Sequence, residues 1–151
     1  MNPLHRLAYL TLRGWWWLSR PHTTGVRVML VRDGRILLVR HTYLHSWFAP
    51  GGGVERGETL EEAIRREARE EVGATLHDLR LMGIYTSFKE SKSDHVVMFV
   101  STEFAVDGTR DREIEETRWY QLDALPDDLS PATARRIEDY LAGHAPGVGD
   151  W

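Results

Sequence analysis

The chain has 151 residues, a formal net charge of −4 and no cysteine. That length supports one domain with a real hydrophobic core, and the composition is that of an ordinary soluble protein. Disulfides, thiolate zinc sites and cysteine nucleophiles are excluded. The acidic balance does not suggest a protein built to coat nucleic acid, and no DNA-duplex binding is expected.

The opening MNPLHRLAYLTLRGWWWLSRP carries arginines at positions 6, 13 and 20 that interrupt any apolar core, and no small-residue cleavage site follows. No run of 18 apolar residues occurs, so no spanning helix is expected and the chain reads as cytoplasmic. We read residues 1–23 as a Trp-rich extension. Its Trp15-Trp16-Trp17 cluster packs on the domain or a homodimer face, or else lies on a membrane surface or a partner.

Val26 to Val31 and Arg35 to Arg40 are strand-like runs, and Asp33-Gly34 between them signals a hairpin. His41 to Gly53 reads as a loop leading into three glycines. Thr59 with Glu62 makes a capping box, Leu60, Ile64, Ala68 and Val72 form an apolar stripe, and Gly73 ends the helix at about residues 60–72. Leu79 to Thr86 and His95 to Phe104 read as strands, the second in a central position. Ala105 to Thr117 reads as a flexible loop, Arg118 to Gln121 as a short strand and Leu122 to Leu129 as a turn region. Ser130-Pro131 opens a second helix to about Ala142, with Ala134, Ile137 and Leu141 inward. Residues 143–151 are expected to fray. The order predicts an α/β/α sandwich with a mixed β-sheet between helices, over a domain of residues 24–142.

The chemistry concentrates in Gly52 to Ala74, GGVERGETLEEAIRREAREEVGA. Glu67, Glu70 and Glu71 stand at i, i+3 and i+4 and form one helical patch. With Ile64 at zero, Glu71 falls about −20° round the helix, inside the apolar arc, where a carboxylate is costly unless paired or metal-bound. Arg66 sits four residues before Glu70 and can anchor it, but one arginine does not neutralise three glutamates. Hard divalent cations prefer such all-oxygen sites. Gly51-Gly52-Gly53 lets backbone approach a metal or phosphate closely, and Gly57-Glu58 makes a second turn.

This run resembles the signature of the Nudix hydrolase family: a glycine, five residues, a glutamate, seven residues, Arg-Glu, an aliphatic, one residue, Glu-Glu, one residue, Gly and an aliphatic. Gly52, Glu58, Arg66, Glu67, Ala68, Glu70, Glu71, Gly73 and Ala74 match in order and spacing, with Ala68 and Ala74 small for their positions. Trp47 to Gly53, Arg118-Trp119-Tyr120 and Leu125-Pro126 also look like the family, so the resemblance covers residues 24–142.

The resemblance implies hydrolysis of a nucleoside diphosphate linked to another moiety, by attack of water on phosphorus, with Mg²⁺ or Mn²⁺. By position Glu67, Glu70 and Glu71 are the expected ligands, with the Gly51 carbonyl beside them. Glu58 and Gly52 support the loop, and Arg66 orients the carboxylates. The general base is a box glutamate such as Glu67 or Glu70, or Glu113 on the later loop, whose alternative role is a solvated acidic residue. For the substrate, Trp47, Phe48, Tyr85 and Phe88 are candidates to stack on a base, and Arg27, Arg40, Lys89 and Lys92 to meet phosphates. The bland alternatives are that Trp47 and Phe48 only pin the glycine loop and that the lysines are plain loop charges. Phe88 stands where ADP-ribose hydrolases carry a proline, and residues 89–91 lack the tyrosine of dinucleoside polyphosphate hydrolases. The pool stays wide, and by family analogy a short, single-domain member fits a nucleoside triphosphate or small nucleotide derivative slightly better. Nucleotide sugars, ADP-ribose, capped RNA ends and a catalytically silent nucleotide-binding module remain as alternatives.

Overall fold

The structure is a computed structural model that describes residues 22–88 and 93–151. The Trp15–Trp17 cluster, Lys89 and Lys92 lie outside the described residues. Six strands form one mixed sheet in the order β7-β2-β1-β5-β4-β8. They are β1 (His22–Arg32), β2 (Arg35–His41), β4 (Arg80–Ser87), β5 (Ser93–Ser101), β7 (Ile114–Gln121) and β8 (Gly147–Asp150). A two-stranded sheet pairs β3 (Ala74–Leu76) with β6 (Phe104–Val106). Helices α1 (Leu60–Val72) and α2 (Pro131–Leu141) complete the described elements.

Side-chain alternation along the strands places one helix on each face. Val26, Val28, Leu37, Val39, Val97 and Phe99 pack with Ala63, Ile64, Ala68 and Val72 of α1. Met29, Val31, Ile36, Leu38, Met98 and Val100 pack with Trp47 and Ile137 on the α2 face. The chain is thus an α/β/α sandwich with a mixed sheet. The β1–β2 turn places Asp33 at φ 51° and Gly34 at φ 70°, the left-handed pair that an Asp-Gly hairpin turn requires.

Beyond Leu30 and Leu37, where their pairing stops, β1 and β2 splay apart. The segment after His41 fills the gap rather than looping away. Phe48 exchanges both backbone hydrogen bonds with Val39 at 2.9 Å, and the amides of Val28, Val26 and Val54 bond to the carbonyls of Pro50, Gly52 and Thr24. The glycine segment is therefore wedged into the centre of the sheet.

Four expectations need correction. The strand expected from His95 to Phe104 breaks after Ser101, because the Asp78 carboxylate accepts from Ser101 Oγ and from the amides of Thr102 and Glu103 at 2.7–2.9 Å. The loop expected from Ala105 to Thr117 is framed by β6 and by the start of β7 at Ile114. Leu141 is exposed and Ala134 only half-buried, whereas Arg136 is buried, so the inward face of α2 is turned from the expected one. Residues 147–150 do not fray. They form β8, paired in parallel with Gly83–Thr86, and buried Arg136 holds the strand by donating from Nη1 to the Asp150 carbonyl at 3.1 Å.

Candidate active site

Helix α1 is fixed at both ends by local chemistry. The Thr59 side chain accepts from the Glu62 amide, the Glu62 carboxylate accepts from the Thr59 amide, and Gly73 closes the helix in the left-handed region at φ 65°. This sets the rotation of the helix and turns Glu71 toward the sheet, where it is 8% exposed.

The glycine wedge meets that face. Glu71 Oε2 accepts from the Gly51 amide at 2.7 Å. A Cβ on Gly51 would lie 2.1 Å from the Val26 carbonyl oxygen, and its φ of 141° is one that L side chains rarely adopt, so only glycine fits. At Gly52 a Cβ would lie 2.6 Å from Glu67 Oε1. Both glycines thus open room for carboxylates of α1.

Arg66 is the hub of the outer part of the site. Its Nε and Nη2 donate to the two Glu58 oxygens at 2.8 and 2.9 Å, Nη1 donates to Glu67 at 2.7 Å and to Glu70 at 3.2 Å, and Nη2 also reaches the Gly53 carbonyl at 3.0 Å. Glu58 also accepts from the Glu55 amide, and it is held at about 2, mainly by the Arg66 hydrogen bonds. The same network, Glu58 first, raises Arg66 above its usual value. Arg66 thus pairs with Glu70 across one helical turn and is itself held by Glu58.

Glu71 is differently placed. Burial pushes its carboxyl up to about 7, and the charges of Glu67 and Glu113 add to that, against the opposing pull of Arg27 and the Gly51 amide. His41 is the near neighbour, its Nε2 3.7 Å from Glu71 Oε1, but burial and then Arg27 lower its pKa, which keeps the imidazole neutral. Its Nδ1 has no hydrogen-bond partner among the described residues. His41 and the positioning of Arg27 were missed as neighbours of Glu71. The available signal was parity on β2, where His41 shares the face of Leu37 and Val39, and a bulge between Arg40 and His41 adjusts its aim.

Glu113 belongs to this neighbourhood, since its charge is felt at Glu71 and its carbonyl accepts from the Thr42 amide at 3.0 Å. Glu70 lies at the outer edge, half-exposed on Arg66. Other candidates fall elsewhere. Trp47 is 2% exposed in the α2-face core, and its amide and carbonyl are bonded to Asp128 and Ser130. Tyr85 is 7% exposed under the Arg136 guanidinium. Neither ring can take a nucleobase without unpacking the core, so Trp47 pins the glycine segment and Tyr85 supports α2. Arg40 is paired with Glu115 and Glu116 at 3.2 and 2.6 Å and lies over Trp47, so its charge is already met. Phe48 is half-buried against His41 and Arg27, while Phe88 is exposed. Arg27 Nη1 donates to the Ala49 carbonyl at 2.7 Å.

Among the described residues no three His, Asp or Glu side chains converge into a metal cage. The donor chemistry nevertheless fits a hard cation. Glu71 is a buried carboxylate with one amide donor, a neutral imidazole nearby and two further carboxylates in its field.

A family model described as the NUDIX domain matches residues 21–140. The chain belongs to the Nudix family. Members of that family generally require a divalent cation. The chain is 30% identical over 125 residues to an RNA pyrophosphohydrolase of Aeromonas hydrophila, a match covering 82% of this chain and 64% of that one. It is 30% identical over 118 residues to an ADP-ribose pyrophosphatase of Methanocaldococcus jannaschii, covering 75% and 69%. A crystal structure of a MutT NUDIX hydrolase from Burkholderia pseudomallei superposes with a TM-score of 0.71 at 28% identity, covering 78% of this Nudix chain and 97% of that one. This chain spans under two thirds of the length of the first of these relatives. No helix among its described residues is long and apolar enough to cross a membrane.

Proposed function

We propose that this Nudix protein hydrolyses a pyrophosphate bond in a nucleoside diphosphate derivative, a nucleoside triphosphate or a similar nucleotide, by attack of water at phosphorus. The observation that carries the reading is the seating of the wedged glycines on α1: the Gly51 amide on Glu71 and the Gly52 backbone against Glu67. Loop and helix thereby meet at the Glu67 and Glu71 carboxylates.

In this reading Glu67, Glu70, Glu71 and the Gly51 carbonyl hold Mg²⁺ or Mn²⁺. A bound divalent cation offsets charge on the phosphates and lowers the pKa of water. Arg66 keeps Glu67 and Glu70 oriented, and Glu58 holds Arg66. Glu113, or a box glutamate, accepts the proton of the attacking water. Arg27 faces the phosphates from β1. In-line attack asks mainly for positioning and electrostatic support, which suits a site with no activated nucleophile.

The names of the two relatives support two further substrates, a 5′ RNA end and ADP-ribose. The test is release of phosphate or pyrophosphate from a panel of nucleoside triphosphates, nucleotide sugars, ADP-ribose and 5′-triphosphorylated RNA with Mg²⁺ or Mn²⁺, alongside Glu71→Gln. Turnover of one substrate class that falls at least about 100-fold in E71Q supports the reading. Near wild-type turnover of E71Q at saturating magnesium overturns it.

A further inference from the structure

Glu71 has two carboxylate oxygens and, among the described residues, one hydrogen-bond donor. Oε2 accepts from the Gly51 amide at 2.7 Å. Arg27 acts on Glu71 through its charge, while its Nη1 is committed to the Ala49 carbonyl. The group that faces Oε1 is His41, whose Nε2 stands 3.7 Å away. That separation is beyond a hydrogen bond, and a shift of less than about 1 Å closes it.

The imidazole is built into its place. Its side chain is 7% exposed, with the Tyr43 ring tilted over it at 5.3 Å between centroids and Phe48 edge-on at 6.0 Å. The His41 carbonyl accepts from the Leu44 amide at 3.2 Å, and the next residue, Thr42, donates its amide to the Glu113 carbonyl at 3.0 Å. Across the bulge His41 pairs with Ile114 at the start of β7. The ring therefore stands between the helix that carries Glu71 and the segment that carries Glu113.

Its two nitrogens have different surroundings. Nδ1 is sealed from solvent and has no partner among the described residues. A histidine that ligates a cation through Nε2 carries its proton on Nδ1 and passes it to a carboxylate, a carbonyl or water. No such acceptor stands at Nδ1 here, so ligation through Nε2 would bury an unpaired N–H. That tautomer would also turn the Nε2 lone pair onto the Glu71 oxygen. With the proton on Nε2 an N–H meets the carboxylate instead, and only a bare lone pair is buried at Nδ1.

We propose that His41 is a positioning residue of the site: as the Nε2–H tautomer it donates to Glu71 Oε1 and, together with the Gly51 amide on Oε2, sets the plane in which that carboxylate meets a divalent cation. The inference rests on the metal-binding part of the reading above and not on its substrate. The choice of residue type follows from the charge. A guanidinium at this place would answer Glu71 in full, as Arg66 answers Glu58. A neutral imidazole aims the carboxylate and leaves its charge for the cation, and burial beside Arg27 disfavours the imidazolium.

The test compares wild type with His41→Gln, His41→Asn and His41→Leu. Glutamine carries an N–H to about the place of Nε2, asparagine stops near the place of Nδ1, and leucine has no donor. The readouts are Mn²⁺ affinity from the EPR signal of the free ion without nucleotide, the ring-nitrogen NMR of His41 in wild type, and kcat on the substrate panel. The expected result is a proton on Nε2 and none on Nδ1, a loss of Mn²⁺ affinity of about 10–100-fold in H41L and H41N, and an H41Q affinity within about 3-fold of wild type. Rescue by glutamine is a pattern that general loss of structure does not produce. A proton on Nδ1, or nitrogen hyperfine coupling from His41 on bound Mn²⁺, makes His41 a ligand and overturns the proposal. So does an H41L affinity equal to wild type, or an H41Q affinity as weak as that of H41L. The expected affinity pattern without turnover of any substrate sinks the hydrolase reading and keeps His41 in its role. Turnover that E71Q abolishes, with Mn²⁺ affinity unmoved in H41L, sinks the role of His41 and keeps the hydrolase.

Discussion

Each helix of the sandwich turns one charged residue toward the sheet, and the two are treated in opposite ways. Arg136 on α2 is 6% exposed. Its Nη1 donates to the Asp150 carbonyl, its guanidinium lies on the Tyr85 ring, and its Nε stands 2.9 Å from Asp139 Oδ2, an ion pair whose angle falls short of a hydrogen bond. Glu71 on α1 is 8% exposed and has one amide donor and a neutral histidine. The compensated charge ties down a strand. The under-compensated one lies against the glycine wedge, with the charges of Glu67 and Glu113 adding to the negative field around it.

Substitutions at the two positions should therefore diverge. The largest effect is expected at the wedge: Gly51→Ala forces a Cβ onto the Val26 carbonyl at a backbone angle that alanine resists, and should lose activity together with at least about 3 kcal/mol of stability by denaturant titration. Glu71→Gln should lose at least about 100-fold in kcat yet unfold no earlier than wild type in metal-free buffer, because a poorly compensated buried charge is removed. A lowered Tm there would break the contrast. Arg136→Met should do the reverse. It is expected to cost about 1–3 kcal/mol and to expose the β8 amides to hydrogen exchange, while kcat at saturating substrate falls much less than in E71Q.

The smallest expected effect is at Asp78, a fully compensated charge. Burial alone would raise its carboxyl, but the hydrogen bonds from Glu103, Ser101 and Thr102 outweigh it and hold the group at about 2. Its folded value lies below the usual carboxylate value, so its contribution is present above pH 4 and lost as pH falls toward 2. Asp78→Asn should flatten the acid limb of a Tm-against-pH curve; an unchanged acid limb would remove Asp78 from the account.

Much of this was legible in the sequence where the cause is local. The Asp33-Gly34 turn, the Thr59–Glu62 box and the Gly73 stop depend on residues within a few positions of one another, and the fold has them as read. The rotation of Glu71 into the buried face followed from helical geometry alone. The misread positions all depend on distant partners. Trp47 and Tyr85 looked like stacking aromatics until the α2 face covered them. Arg40 looked free to meet phosphate until Glu115 and Glu116 arrived from β7. Residues 147–150 looked like a tail until β4 and Arg136 took them up.

By itself the sequence determined the carboxylate helix, its caps, the hairpin and the family, because each rests on fixed spacing along the chain. Tertiary structure alone decided that the glycine segment lies within the sheet, that His41 and Arg27 flank Glu71, and that Trp151 packs on Tyr85 at the end of β8. Those are pairings between segments far apart in the chain, and side-chain spacing carries no record of which edge or face will meet which.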